Sequence, residues 1–190
     1  MITLKLNGVE AAISSFKAKG IEAEKEILDA LKAFGDDIVT DAKRLAPKDE
    51  GHLYNSIANE LKGNTLTVSV NADYAAYIEF GTKRFAAKYV ATLPSDWKSY
   101  AAQFKGKGGG NYKDFVLRIM KWVKRKGIGG LQTKSGNLSK SKSSLDAMQQ
   151  AAYGIALHII RNGIKAQPFL YPAFVKNRAK LIKNLKAYFK

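Results

Sequence analysis

The 190-residue sequence predicts an α+β fold: a long N-terminal helix packed on a small antiparallel sheet, with C-terminal helices and a basic helical insertion. Two changes of hydrophobic period predict it. Up to Pro47 the apolar residues recur every three or four positions; between Leu53 and Phe80 they alternate by two. Beyond about Ser144 the helical period returns, after a middle stretch rich in Lys and Gly.

The elements follow in chain order. Residues 3–7 alternate weakly, as a short strand would. A helix is expected from about Gly20 or Ile21 to Leu45, with Ile27, Leu31, Phe34, Ile38 and Ala42 as its buried stripe. Glu22, Glu24 and Glu26 favour its N-terminal end, and Lys43 and Arg44 its C-terminal end. Pro47 stops it and biases Ala46 away from helical geometry. Residues 53–61, 65–71 and 74–80 are expected as three antiparallel strands under that helix, with Lys62-Gly63-Asn64 as the first turn.

The middle of the chain reads differently. Ser95 is an expected N-cap for a short helix presenting Trp97, Tyr100, Ala101 and Phe104. Gly106 to Gly110 is an expected flexible break. Asn111 is expected to cap a helix over 112–126 that carries Tyr112, Phe115, Val116, Ile119, Trp122 and Val123 on one side. Arg118, Lys121, Lys124, Arg125 and Lys126 cover its other side and are the candidate polyanion contacts. A Gly-, Ser- and Lys-rich loop is expected from Gly127 to Ser144. A helix over about 144–162 follows, with Leu145, Met148, Ala152, Ile155 and Ile159 on one face and a half-buried His158 beside it. Asn162-Gly163 stops it, and a last helix runs to Phe189.

Composition excludes several chemistries. Cysteine is absent, which removes disulfides, thiolate metal sites and a cysteine nucleophile. A histidine-built metal site would need both His52 and His158, about a hundred residues apart, plus carboxylates from elsewhere, and none is expected. Glu22 and Glu26 share a helix face, but that spacing is ordinary for a solvated surface. The GK[ST] ending of a phosphate loop and the dinucleotide fingerprint are both missing. No catalytic residue, cofactor or metal site is expected, and the protein is read as a non-enzyme. A nuclease would need clustered carboxylates for Mg²⁺, whereas Asp96, Asp114 and Asp146 fall on separate expected elements. No run of 18 apolar residues and no secretory pattern is present, so no membrane span is expected, and the protein is expected to stay in the cytosol where it is made.

Charge is uneven. Of the net +16, residues 1–82 contribute −4, residues 83–165 contribute +14 and residues 166–190 contribute +6. The middle block suits a polyanion: nucleic acid or an acidic protein surface. Basic helices also lie on membranes or simply carry their charge in water.

Three motifs stand in order: Ala46-Pro47-Lys48-Asp49-Glu50-Gly51-His52-Leu53-Tyr54-Asn55-Ser56-Ile57, then Tyr74-Ala75-Ala76-Tyr77-Ile78-Glu79-Phe80-Gly81-Thr82, then Ala166-Gln167-Pro168-Phe169-Leu170-Tyr171-Pro172-Ala173-Phe174. Their order and flanking helices resemble a family of small tail components of long-tailed double-stranded DNA phages, whose members act as tail-completion or neck proteins at the head–tail junction. The family's first motif reads A-P-x-D-T-G-x-L-x-x-S-I; Glu50 here replaces its threonine. The resemblance covers about 1–82 and 144–190. It implies one tail-component domain over 1–190, with 83–143 as a basic, partly flexible insertion. It also implies a homo-oligomeric ring, expected to be hexameric, that meets tail-tube and head-closure proteins in the virion and has DNA within reach in the junction channel. Pro47, Gly51, Tyr74, Tyr77, Glu79, Phe80, Gly81, Thr82, Pro168, Phe169, Leu170 and Pro172 are its motif or interface residues. The alternative is a nucleic-acid-binding protein that uses the basic middle segment.

Overall fold

The computed structural model describes residues 1–6, 9–18, 23–106 and 111–188. The expected helix start at Gly20 or Ile21, Glu22, the glycines of 107–110 and Phe189 lie outside the described residues. The chain forms two compact units, Met1–Gly81 with Lys165–Lys190, and Thr82–Ile164.

In the first unit β1 (Ile2–Leu6), β2 (Ile57–Lys62) and β3 (Thr65–Val70) form an antiparallel sheet in the order β1-β3-β2. The central strand reads Thr-Leu-Thr-Val-Ser-Val, and its Leu66, Val68 and Val70 are all buried. Alternation puts those three on one face, as a half-buried strand requires. The registers Ile2↔Val70 and Ile57↔Val70 add two more buried residues to that face. Gly63-Asn64 closes the β2–β3 hairpin next to the Lys62↔Thr65 pair.

Helix α2 (Glu24–Leu45) covers the sheet with the expected stripe Ile27, Leu31, Phe34, Ile38 and Ala42. Gly35 faces the sheet: a Cβ there would meet Leu66 Cδ1 at 2.8 Å and Asn59 Cγ at 3.1 Å. A helix glycine costs roughly 1 kcal/mol in propensity, and here it permits close helix–sheet contact. Helix α9 (Leu170–Tyr188) packs along α2, with Phe34 and Phe174 6.1 Å apart between ring centroids. Helix α1 (Val9–Lys17) was not legible as an element, yet its Val9 and Ile13 pack with Ala23, Ile27 and Leu31.

Two strand expectations are corrected. Residues 75–80 form helix α4 (Ala75–Phe80), not a strand. Its buried residues are Ala75, Ala76, Glu79 and Phe80, a helical repeat; Tyr74, in line with Phe80 on a two-residue reading, is exposed. The place of the third strand is taken by β1. Residues 53–55 belong to a short helix, α3 (His52–Asn55), entered through Gly51 at φ 82, so the strand starts only at Ile57. That positive φ suits glycine, and the turn it makes delays the strand.

The second unit is helical: α5 (Lys83–Val90), α6 (Ser95–Ala102), α7 (Tyr112–Lys126) and α8 (Lys142–Asn162). Asn111 caps α7 as expected, its Oδ1 accepting from the Lys113 N–H at 2.9 Å. Ser95 does not cap α6; it is the first helical residue, and Pro94 stands at the cap with extended backbone. Helices α7 and α8 bury Val123 against Met148 and Ala152, with Ile119, Trp122 and Ile155 around them. The buried line of α8 runs through Ser144, Met148, Ala152 and Ala156. Leu145 is exposed, and so is His158, which was expected to be half-buried. The 127–144 stretch, expected as a loop, carries hydrogen bonds of its own: Thr133 N to Asn137 O at 2.8 Å and Ser139 N to Leu131 O at 2.7 Å. The unit also closes on itself where the chain enters and leaves. Thr82 N donates to Ile164 O at 2.9 Å, and Ile164 N to Thr82 Oγ1 at 2.7 Å.

Candidate functional site

The second and third motifs meet through one side chain. Glu79 projects from α4 and is fully buried. Its Oε2 accepts from the backbone N–H groups of Phe169 and Leu170 at 2.8 and 2.9 Å, and its Oε1 from that of Tyr171 at 2.9 Å. A helix leaves four N–H groups unsatisfied at its start. At α9 three of them reach Glu79, and the fourth position is Pro172, which has no N–H to leave unpaired. The carboxylate also lies where the α9 dipole favours negative charge. Burial nonetheless dominates and raises the Glu79 pKa above its ordinary value; the three N–H donors oppose it. Gln167 N donates to Ile78 O at 2.8 Å beside the same clasp. A Glu in an aromatic run thus ties two segments 90 residues apart.

The other motif residues divide by exposure. Phe80, Phe169 and Leu170 are buried in the first unit and form part of its core. Pro168, Pro172 and Tyr77 are half-buried, and Gly81 ends α4 at φ 73. Thr82 belongs to the second unit. In the first motif, Pro47 is half-buried, and Leu53 and Ile57 are buried. Gly51 and Ser56 shape the turn between them, with Ser56 Oγ donating to Leu53 O at 2.8 Å.

Several large side chains of this region are exposed. Tyr74 is 42% exposed and Tyr54 40%, with Leu45 at 42%. The Lys43 ammonium stands 5.2 Å from the centre of the Tyr54 ring. Burial raises the Tyr74 pKa, and nearby Asp49 and Glu50 add to the effect.

Sequence reasoning missed a second clasp. Asp41 on α2 is buried and holds Lys176 Nζ at 2.8 and 3.0 Å, Asn177 Nδ2 at 2.9 Å and Arg44 at 3.0 Å. Asn177 also donates to Ala173 O at 2.9 Å, so it is anchored within α9. The Lys176 and Asn177 hydrogen bonds lower the Asp41 pKa to about 2. An acid adjoining Ile38 and Ala42 in an apolar stripe was the available signal.

In the second unit Arg118, Lys121, Lys124, Arg125 and Lys126 are all exposed on α7, opposite buried Val116 and Val123. His52 lies 3.7 Å from Glu50, and His158 lies 3.3 Å from Asn162 in the other unit. Among the described residues no group of three or more His, Asp or Glu is arranged to hold a metal ion. No helix among them is long and apolar enough to cross a membrane.

Residues 9–81 match the family model described as "Bacteriophage HK97-gp10, putative tail-component". This match supports a phage tail-component family. It covers less than half of the chain and stops at Gly81, where the first unit's opening segment also stops. The third motif and the basic helices lie outside it. No curated protein and no solved structure gives a significant match. The family suggests a structural, non-enzymatic protein with a virion location and other virion proteins as partners.

Proposed function

We propose that the protein acts in tail completion or head–tail joining of a tailed phage or prophage, as a ring of repeated subunits. The family match over residues 9–81 supports this reading: it spans the long helix, the β2–β3 hairpin and the Glu79 helix, with exposed Tyr54 and Tyr74 inside it. A protein that joins a tube must match the tube's rotational symmetry. Head-to-tail contacts then close into a ring, with six subunits the expected number. Tyr54, Tyr74 and Leu45 are exposed apolar side chains suited to the centre of such a contact. Phe80, Phe169 and Leu170 are assigned instead to the fold that supports it. The test is electron microscopy of the protein mixed with its neighbouring virion proteins: a ring at the tail end, lost with Tyr54→Ala/Tyr74→Ala, supports the role. Unaltered tails would contradict it.

Residues 83–143 are read as a basic insertion with contacts outside its own subunit. One observation favours a polyanion as its partner. Between Phe115 and Leu145 the sequence holds eight Lys or Arg and no Asp or Glu. An acidic protein neighbour and nucleic acid both satisfy that chemistry.

A further inference from the structure

We propose that the second unit binds duplex DNA without sequence preference, through the outward face of α7 and the adjoining loop. This rests on the polyanion reading and commits it to one partner. On a helical projection Arg118, Lys121, Lys124 and Arg125 lie on the side of α7 turned from Val116 and Val123, with exposed Asp114 among them and Lys113 at the edge. From Lys113 to Arg125 the cations extend over about 18 Å of helix, several base pairs of duplex. Among the described residues Arg118, Lys121 and Lys124 enter no ion pair. In the first unit, by contrast, Lys17, Lys62, Lys176 and Lys180 all meet carboxylates.

The loop adds to the same end of α7. Leu138 folds over the turn that follows the helix: a Cβ at Gly130 would meet its Cδ1 at 2.7 Å, and one at Gly127 at 3.2 Å. Lys134 and Lys140 are exposed on this loop, among hydroxyls that hydrogen-bond one another, such as Thr133 with Ser135 and Ser139 with Ser141. Lysine meets phosphate as a point charge, and hydroxyls donate to phosphate oxygens. Phosphate contacts of this kind position a backbone and carry no sequence information directly. A membrane surface fits less well, because the apolar side of α7 is already occupied by Met148 and Ala152 of α8.

The test is fluorescence anisotropy of a short duplex of arbitrary sequence, titrated with the full chain between about 50 and 200 mM salt. The expected result is a steep fall of log affinity with log salt, equal for unrelated sequences. Arg118→Ala/Lys121→Ala/Lys124→Ala should flatten the slope by about 2.7, at about 0.9 for each phosphate left without its cation. Lys121→Arg/Lys124→Arg should retain binding, and Arg178→Ala/Lys183→Ala on α9 should leave it unchanged. Circular dichroism checks that each variant is folded. Equal loss in the α9 variant would overturn the assignment to α7. Polyglutamate bound in place of DNA would overturn the DNA partner and leave the polyanion reading standing. Binding of neither at low salt would overturn both.

Discussion

Glu79 and Asp41 act at the scale of single residues, and each fastens α9. Glu79→Ala would leave three N–H groups without a partner, two of them buried, and open a cavity. At roughly 1–3 kcal/mol per unsatisfied group, with some relaxation, a loss of about 3–5 kcal/mol is expected by chemical denaturation. Glu79→Gln keeps the volume but presents an amide N–H to amide N–H groups, so it should recover only part of the loss. Asp41 gives a pH test. Its pKa is lowered from 3.8 to about 2 in the fold, so its contribution is present above pH 3.8 and is lost as pH falls through about 2. Because Lys176 is largely exposed, the contribution is expected to be on the order of 1 kcal/mol. Melting wild type and Asp41→Asn from about pH 6 to about pH 2 should show the gap between them narrowing below pH 3.8. A constant gap would assign Asp41 a role that does not depend on its charge.

The long helix and its packing are the element-scale features. Ile38 is buried on α2 above the sheet, so Ile38→Asp should cost several kcal/mol in thermal melting. Gly35→Val should cost about 1–3 kcal/mol, since Leu66 must move to admit it. An unchanged melting temperature for either variant would contradict the helix-on-sheet arrangement. Helix α2 was legible because its stripe, its end charges and Pro47 all agreed. Helix α4 was not: six residues are too few to separate a period of two from one of 3.6, and its aromatic residues favour strands. Neither was the partner of β3, because local pattern does not say which edge a short strand joins. The Glu79 clasp was half legible. Family likeness placed both motifs, but pairing a carboxylate with N–H groups 90 residues away depends on tertiary structure.

On the scale of the whole molecule, the sequence divides into a near-neutral first unit and a strongly basic second one. The charge contrast was fully legible. The extent of the second unit was less so: α8 packs on α7, so the compact unit runs over Thr82–Ile164, beyond the 83–143 stretch that composition marks out. If the protein is a structural tail component, DNA incubated with it and Mg²⁺ should remain intact. Cleavage abolished by Asp96→Asn or Asp114→Asn would assign it catalytic chemistry instead.

The central claim is that the protein joins virion parts. Its most direct test is a complementation assay with purified tails made without this protein. Tails given the protein should bind it and become able to attach to filled heads, and Tyr54→Ala/Tyr74→Ala should reduce that gain. Tails that attach to heads equally well without the protein would contradict the role, whatever its oligomeric state in solution.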